Sequence, residues 1–207
     1  AAGLLYEARG AAGLGIARAW FSKEELPILA RMLERSIHSP RTTSIGRLFD
    51  AMAAIAGGRL RSTFEGQAAM EFEFASLDVP DEPPYPLPLR EGPVLEADWE
   101  PLLYALLDDR DAPIGLKSAR FHAALAELAV AIATRIGIQT IAIAGGCFQN
   151  LRLATQIRRA LSSRGFTVYA PAKYPPNDGA LALGQAYIAA RRHLERKDPS
   201  DVSWNPG

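Results

Sequence analysis

The sequence predicts an α/β fold class, on three observations. Residues 140–144, Thr-Ile-Ala-Ile-Ala, form an unbroken apolar run of the kind a buried strand carries, and Gly145-Gly146 closes it. From 116 to 193 helical and strand patterns alternate, which calls for a parallel strand pair joined by a helical crossover. The first 60 residues are helical in pattern and read as a helical N-terminal part attached to that core.

Taken in order, residues 1–20 read as one alanine-rich helix interrupted by Gly3, Gly10, Gly13 and Gly15. A second helix runs from Ser22 to about Ser36. Ser22 with Glu25 has the spacing of a capping box, and Leu26, Leu29, Met32 and Leu33 make its apolar stripe. His38-Ser39-Pro40 breaks the chain. A third helix fits Ser44 to Ala56, closed by Gly57-Gly58. EFEF at 71–74 alternates like a strand, but Glu65 to Met70 is helix-forming, and the whole stretch 64–76 is assigned to helix. Six prolines between 80 and 93 mark an extended segment, where Tyr85, Leu87 and Leu89 alternate as in a short edge strand. Asp98 caps a helix reaching about Asp109. A longer helix spans about 116 to 136, with Phe121, Leu125, Leu128 and Ile132 on one face and Gly137 as its stop. Strand 140–144 follows, then a helix from Asn150 to Arg164, a second strand at 166–170, a Pro-Pro-Asn-Asp-Gly loop and a last helix from 179 to about 192. The tail beyond it reads as frayed.

Composition bounds the function. The chain has 207 residues, with 48% hydrophobic and 22% charged, the proportions of a globular protein. No apolar run is long enough for a membrane helix and no secretory signal is visible, so the expected location is cytoplasmic. A single cysteine, Cys147, excludes an internal disulfide. Lys plus Arg and Asp plus Glu balance at 23 each, which argues against bulk-charge binding of nucleic acid. The charges are segregated, however. Residues 71–111 carry twelve acids and two bases, and residues 151–197 carry nine bases and two acids. Arg152, Arg158, Arg159 and Arg164 read as a solvated helix face, with a phosphate-bearing ligand as the alternative.

In open α/β sheets ligands sit at the carboxyl ends of the strands, and two polar, glycine-bearing loops lie there. The first, Gly145-Gly146-Cys147-Phe148-Gln149-Asn150, lets a ligand approach the backbone and adds two amides able to read a base or a sugar. A tight strand-to-helix turn would need the same glycines. The second, Pro175-Pro176-Asn177-Asp178-Gly179, offers Asp178 either as a helix N-cap or as a metal ligand facing the same crevice.

Four segments, SIGRLFDAMAAIAG at 44–57, FEGQAAMEFE at 64–73, GGCFQN at 145–150 and PPNDGALALGQA at 175–186, occur in this order. Together they resemble the carboxyl-terminal half of the HypF-type carbamoyltransferases, maturation proteins of nickel–iron hydrogenases. The likeness covers roughly residues 30 to 193. The GGxFQN loop sets this family apart from the antibiotic O-carbamoyltransferases and the tRNA threonylcarbamoyladenosine-forming proteins. The resemblance implies the second lobe of an actin-like (ribonuclease H-like) ATPase fold. It implies a helical segment at 1–63 holding the nucleotide-contacting helix 44–57, an α/β lobe with nucleotide-binding loops at 64–193, and a tail at 194–207. By the same resemblance the lobes receive carbamoyl-adenylate, made elsewhere from carbamoyl phosphate and ATP, and pass the carbamoyl group to the C-terminal cysteine of HypE.

Residue by residue, the resemblance implies that Gly46 and Asp50 belong to the helix that holds the nucleotide ribose. Glu65 and Gly66 fall in a stretch near the nucleotide. Gly145 and Gly146 form the phosphate-side loop, Gln149 and Asn150 follow it, and Asn150 stands beside the adenine. Asp178 is implied as a ligand of a divalent metal that also takes two histidines from the first lobe. Those histidines, spaced H-x-x-x-H, have no counterpart here, where the histidines are His38, His122 and His193. His38 reads as a loop residue, His122 as structural or surface, and Cys147 as a small buried apolar residue rather than a nucleophile. The chain is thus expected to be a fragment, inactive by itself. The alternatives are an O-carbamoyltransferase lobe, which the FQN triplet disfavours, and an interaction module that kept the fold without the activity.

Overall fold

The computed structural model describes residues 1–195. The tail expected at 194–207 therefore lies outside the described residues except for its first two, which belong to the last helix. Two short helices, α1 (Ala2–Arg9) and α2 (Ala11–Ile16), and a 3-10 turn at Arg18–Trp20 replace the single helix expected at the start. The break falls at Gly10, whose N–H closes α1 on the carbonyl of Tyr6 at 2.7 Å. α3 (Glu25–Glu34) is preceded by the expected capping box. Glu25 N–H donates to Ser22 Oγ at 3.1 Å and Ser22 N–H to Glu25 Oε2 at 2.9 Å. α4 (Ile45–Ile55) is capped by Ser44, which accepts from the N–H of Arg47.

α5 (Gln67–Phe74) starts three residues later than the sequence suggests, because Gly66 sits in the left-handed region at φ 79° and acts as its N-terminal boundary. The proline-rich stretch stays extended, and only β1 (Leu89–Arg90) pairs, antiparallel to β2 (Glu96–Ala97). α6 (Glu100–Asp108) and the long α7 (Ile114–Ile136) follow. β3 (Thr140–Ala142), α8 (Leu151–Ser163) and β4 (Thr167–Tyr169) form the expected parallel unit, with Ile141 opposite Val168. α9 (Leu181–Glu195) comes last.

One hydrophobic cluster runs from α1 and α2 through α4, α5, α6, α7 and α8 to Ile143. Its centre is aromatic: Phe121 meets Phe49 edge-on at 4.8 Å and Phe72 at 5.7 Å, and all three are almost fully buried. The burial of the strand pair differs from expectation. The strands are not covered on both faces: Thr140, Ala142, Thr167 and Tyr169 are exposed, and only the face carrying Ile141 and Val168 packs. The last helix does not roof the other face. Leu181, Leu183 and Ile188 stay 46–59% exposed, so these apolar residues of α9 lie outside the core.

The segregated charges also find an explanation. The acidic middle folds onto α8. Arg152 donates to the carbonyls of Ser76, Val79 and Pro80, and Arg159 pairs with Asp81, which also accepts from Gln156 at 2.9 Å. Arg152 is thus no solvated-face residue. It ties the end of α5 to the start of α8.

Candidate nucleotide half-site

The candidate site residues fall into two groups. Asp50, Glu65 and Gly66, with Arg47, Ala54 and Phe64, line a cavity of about 210 Å³ at the mouth between α4 and the start of α5. Gly46 lies one helical turn before Asp50 on the same face of α4. Arg47 bridges the two carboxylates, 3.2 Å from Asp50 and 3.4 Å from Glu65. All three side chains reach solvent, so the ion pairs are weak and a ligand can displace them. The cavity is smaller than the roughly 300–1,000 Å³ of a complete small-molecule pocket.

The second group gathers at the carboxyl ends of β3 and β4. Gly145 turns the chain at φ 113°, and its N–H donates to the carbonyl of Pro176 at 2.6 Å. That bond fastens the GGCFQN loop to the PPND loop, bringing Gly145, Gly146 and Asp178 to one edge of the sheet. Gly145 spends its N–H on this fastening, and its carbonyl accepts from Phe148 N–H at 3.0 Å. A 3-10 turn at Gly146–Gln149 leads into α8. Gln149 is exposed, whereas Cys147 and Phe148 pack on the core and burial raises the Cys147 thiol pKa. An inert cysteine is the outcome the sequence suggests.

Asp178 is not the helix cap. Asn177 takes that role, its Oδ1 accepting from Gly179 N–H at 3.0 Å, so the exposed carboxylate of Asp178 remains outside the capping bonds. As one oxygen donor it fits a hard divalent cation. Among the described residues no three His, Cys, Asp or Glu side chains gather as a metal site.

Asn150 carries two structural bonds. Its Oδ1 accepts from Leu153 N–H at 2.8 Å, capping α8, and its Nδ2 lies 2.8 Å from His122 Nε2. His122 is fully buried on α7 and packs edge-on against Phe49 of α4 at 5.3 Å. Desolvation pushes its pKa down to about 4, so it is neutral near pH 7. The expectation of a structural histidine holds. Through Phe49 and His122, Asn150 is joined to the helix that carries Asp50, and α4 runs alongside the 146–149 turn.

One important residue escaped the sequence reading. Glu73, buried on α5, accepts from the N–H groups of Leu151 at 2.6 Å and Arg152 at 3.2 Å. With Asn150 it satisfies three of the free donors at the start of α8. The only signal in the sequence was a glutamate alternating with phenylalanines, which gives no hint of a partner 78 positions away.

The sequence profile of the family described as "Carbamoyltransferase, Kae1-like Domain, second subdomain" matches residues 1–185. The chain belongs to the HypF carbamoyltransferase family. It is 39% identical over 167 residues to the carbamoyltransferase HypF of Synechocystis, covering 79% of this chain and 22% of that protein. It is 40% identical over 175 residues to the HypF of Rhizobium leguminosarum bv. viciae, covering 82% and 22%. A crystal structure of full-length HypF in the phosphate- and nucleotide-bound form superposes with a TM-score of 0.77 at 33% identity, over 86% of this chain and 25% of that one. The HypF of T. kodakarensis, at 24% identity and a TM-score of 0.70, shares the fold. The chain thus spans about a quarter of the length of these HypF relatives, and its helix-rich α/β architecture is that of the second subdomain.

Proposed function

We propose that this subdomain supplies one side of the carbamoyl-adenylate site of a HypF-type carbamoyltransferase, from which the carbamoyl group passes to the C-terminal cysteine of HypE. The observation that supports the reading is the fastening of the GGCFQN and PPND loops by the Gly145–Pro176 bond, which joins the segment carrying Asp178 to the glycine loop at the carboxyl ends of the strands. Asp50 accepts hydrogen bonds from the ribose hydroxyls once Arg47 yields. Glu65 and Gly66 flank it. The Asn150 amide meets the base. A divalent metal, when bound, neutralises phosphate charge. Asp178 is this chain's ligand to it, and two histidines from another subdomain complete the protein's share. The remaining chemistry, adenylate formation included, belongs to other parts of a full-length enzyme.

The test is an Asp178→Asn substitution in a full-length HypF carrying this subdomain. Carbamoylation of a HypE C-terminal peptide, read by mass spectrometry, falls at least tenfold while thermal unfolding stays unchanged. Retained transfer would remove Asp178 from the site.

A further inference from the structure

Three hydrogen bonds run in one direction from α8 through Asn150 and His122 to α7. Leu153 N–H donates to Asn150 Oδ1, Asn150 Nδ2 lies 2.8 Å from His122 Nε2, and His122 Nδ1 lies 2.7 Å from the Ser118 carbonyl. Their chemistry leaves one arrangement. A backbone N–H only donates, so the atom facing Leu153 is the amide oxygen. The atom facing His122 is then the amide nitrogen, which also only donates, so Nε2 accepts. A carbonyl only accepts, so Nδ1 carries the proton. Tautomer and amide orientation fix each other. The assembly is further anchored because Ser118 Oγ donates to the carbonyl of Phe72 on α5. The imidazole is fully buried among Phe49, Phe72 and Phe121.

We infer that His122 is a positioning residue for the nucleotide base: it locks the half-exposed Asn150 amide so that its remaining N–H and its remaining oxygen lone pair face the ligand in one fixed order. This rests on the nucleotide reading above. A fixed donor beside a fixed acceptor matches the N7 and N6 amino edge of adenine, whereas guanine presents two acceptors there. Freed from His122, the amide loses one of the two bonds that hold its orientation, and both its affinity for adenine and its preference over guanine decline.

The experiment is calorimetric titration of AMP and GMP into a full-length HypF carrying this subdomain. The variants are Asn150→Ala, His122→Asn, the double substitution and His122→Gln. Asparagine at 122 keeps a donor near the Nδ1 position but nothing at Nε2; glutamine keeps an acceptor near Nε2. The expected result is a loss of AMP affinity of about five- to tenfold for each of Asn150→Ala and His122→Asn. The double variant is no weaker than Asn150→Ala alone, and His122→Gln recovers most of the affinity. The AMP-to-GMP preference falls in His122→Asn. Multiplying losses in the double variant, an unchanged AMP affinity in His122→Asn, or a glutamine variant no better than asparagine would overturn the positioning role while leaving the nucleotide reading intact. Unchanged AMP affinity in Asn150→Ala would overturn the nucleotide reading and the positioning role with it. Where His122→Asn does not fold, the imidazole nitrogen resonances of the histidine-labelled wild-type protein carry the test. They must report a neutral ring protonated at Nδ1, with an Nε2 signal that moves in Asn150→Ala; the other tautomer or an unmoved signal refutes it.

Discussion

Replacing Glu73 by alanine is the perturbation whose cost the structure specifies best. The carboxylate is buried and accepts the first two N–H groups of α8, at 2.6 and 3.2 Å. Hydrogen bonds to a charged acceptor are worth about 1.5–3 kcal/mol each. An anion at a helix start adds up to about 1 kcal/mol. Water entering the space vacated beside the part-buried Leu151 N–H offsets part of the loss. A net destabilisation of about 2–3 kcal/mol is expected for Glu73→Ala, and about 1 kcal/mol for Glu73→Gln, which keeps an oxygen acceptor without the charge. Urea unfolding of the two variants against the parent gives both numbers. Because Asn150 caps α8, the alanine variant should also bind AMP more weakly in a full-length HypF. A destabilisation below about 0.5 kcal/mol would refute the claim that Glu73 anchors α8.

Gly115→Ala should destabilise the fold by at least about 2 kcal/mol, since its Cβ would clash with the backbone carbonyl oxygen of Ala75; unfolding midpoints decide it. His122 has a folded pKa of about 4, below its ordinary value of 6.5, so the unfolded state binds the extra proton first. Its contribution is therefore complete above pH 6.5 and is lost as pH falls from 6.5 towards 4, by up to about 3 kcal/mol, with the nearby Arg152 charge adding to the penalty on protonation. A His122→Gln variant should lack this limb in a stability–pH profile. The 207-residue chain alone should bind divalent cations no better than weakly, because Asp178 is its one expected ligand; micromolar affinity that depends on Asp178 would contradict this. Supplied with carbamoyl-adenylate, the same chain should transfer no carbamoyl group to a HypE peptide, and a mass increment above the no-protein control would show that this lobe carries the transfer chemistry itself.

Local rules made much of the fold legible. Ser22 with Glu25, Ser44 and Gly137 mark helix ends by short-range hydrogen bonds or backbone geometry, and these held in the structure. The β3–α8–β4 unit followed from an apolar run, a glycine pair and helical spacing, all within 30 residues. What stayed hidden depends on distant partners. Glu73 and Arg152 acquire their roles only when α5 meets the start of α8, more than 70 positions apart in the chain. The apolar residues of α9 have helical spacing without a surface to cover, and periodicity reports the spacing alone. At the site, the glycine loops, Asp50, Asn150 and Asp178 could be marked through family resemblance. That resemblance did not reveal that Asn177 rather than Asp178 caps the turn, nor that Asn150 is held by His122.

The central claim is that Asp50 and the glycine loops form one side of a nucleotide site. Its most direct test is the affinity of a full-length HypF carrying this subdomain for AMP, measured by calorimetry with and without Asp50→Ala. The partly exposed carboxylate, paired with Arg47, predicts a loss of about 1–3 kcal/mol in binding, since removing it strands the ribose hydroxyls without their acceptor. Equal affinity in the two proteins would take Asp50 out of the pocket and contradict the account.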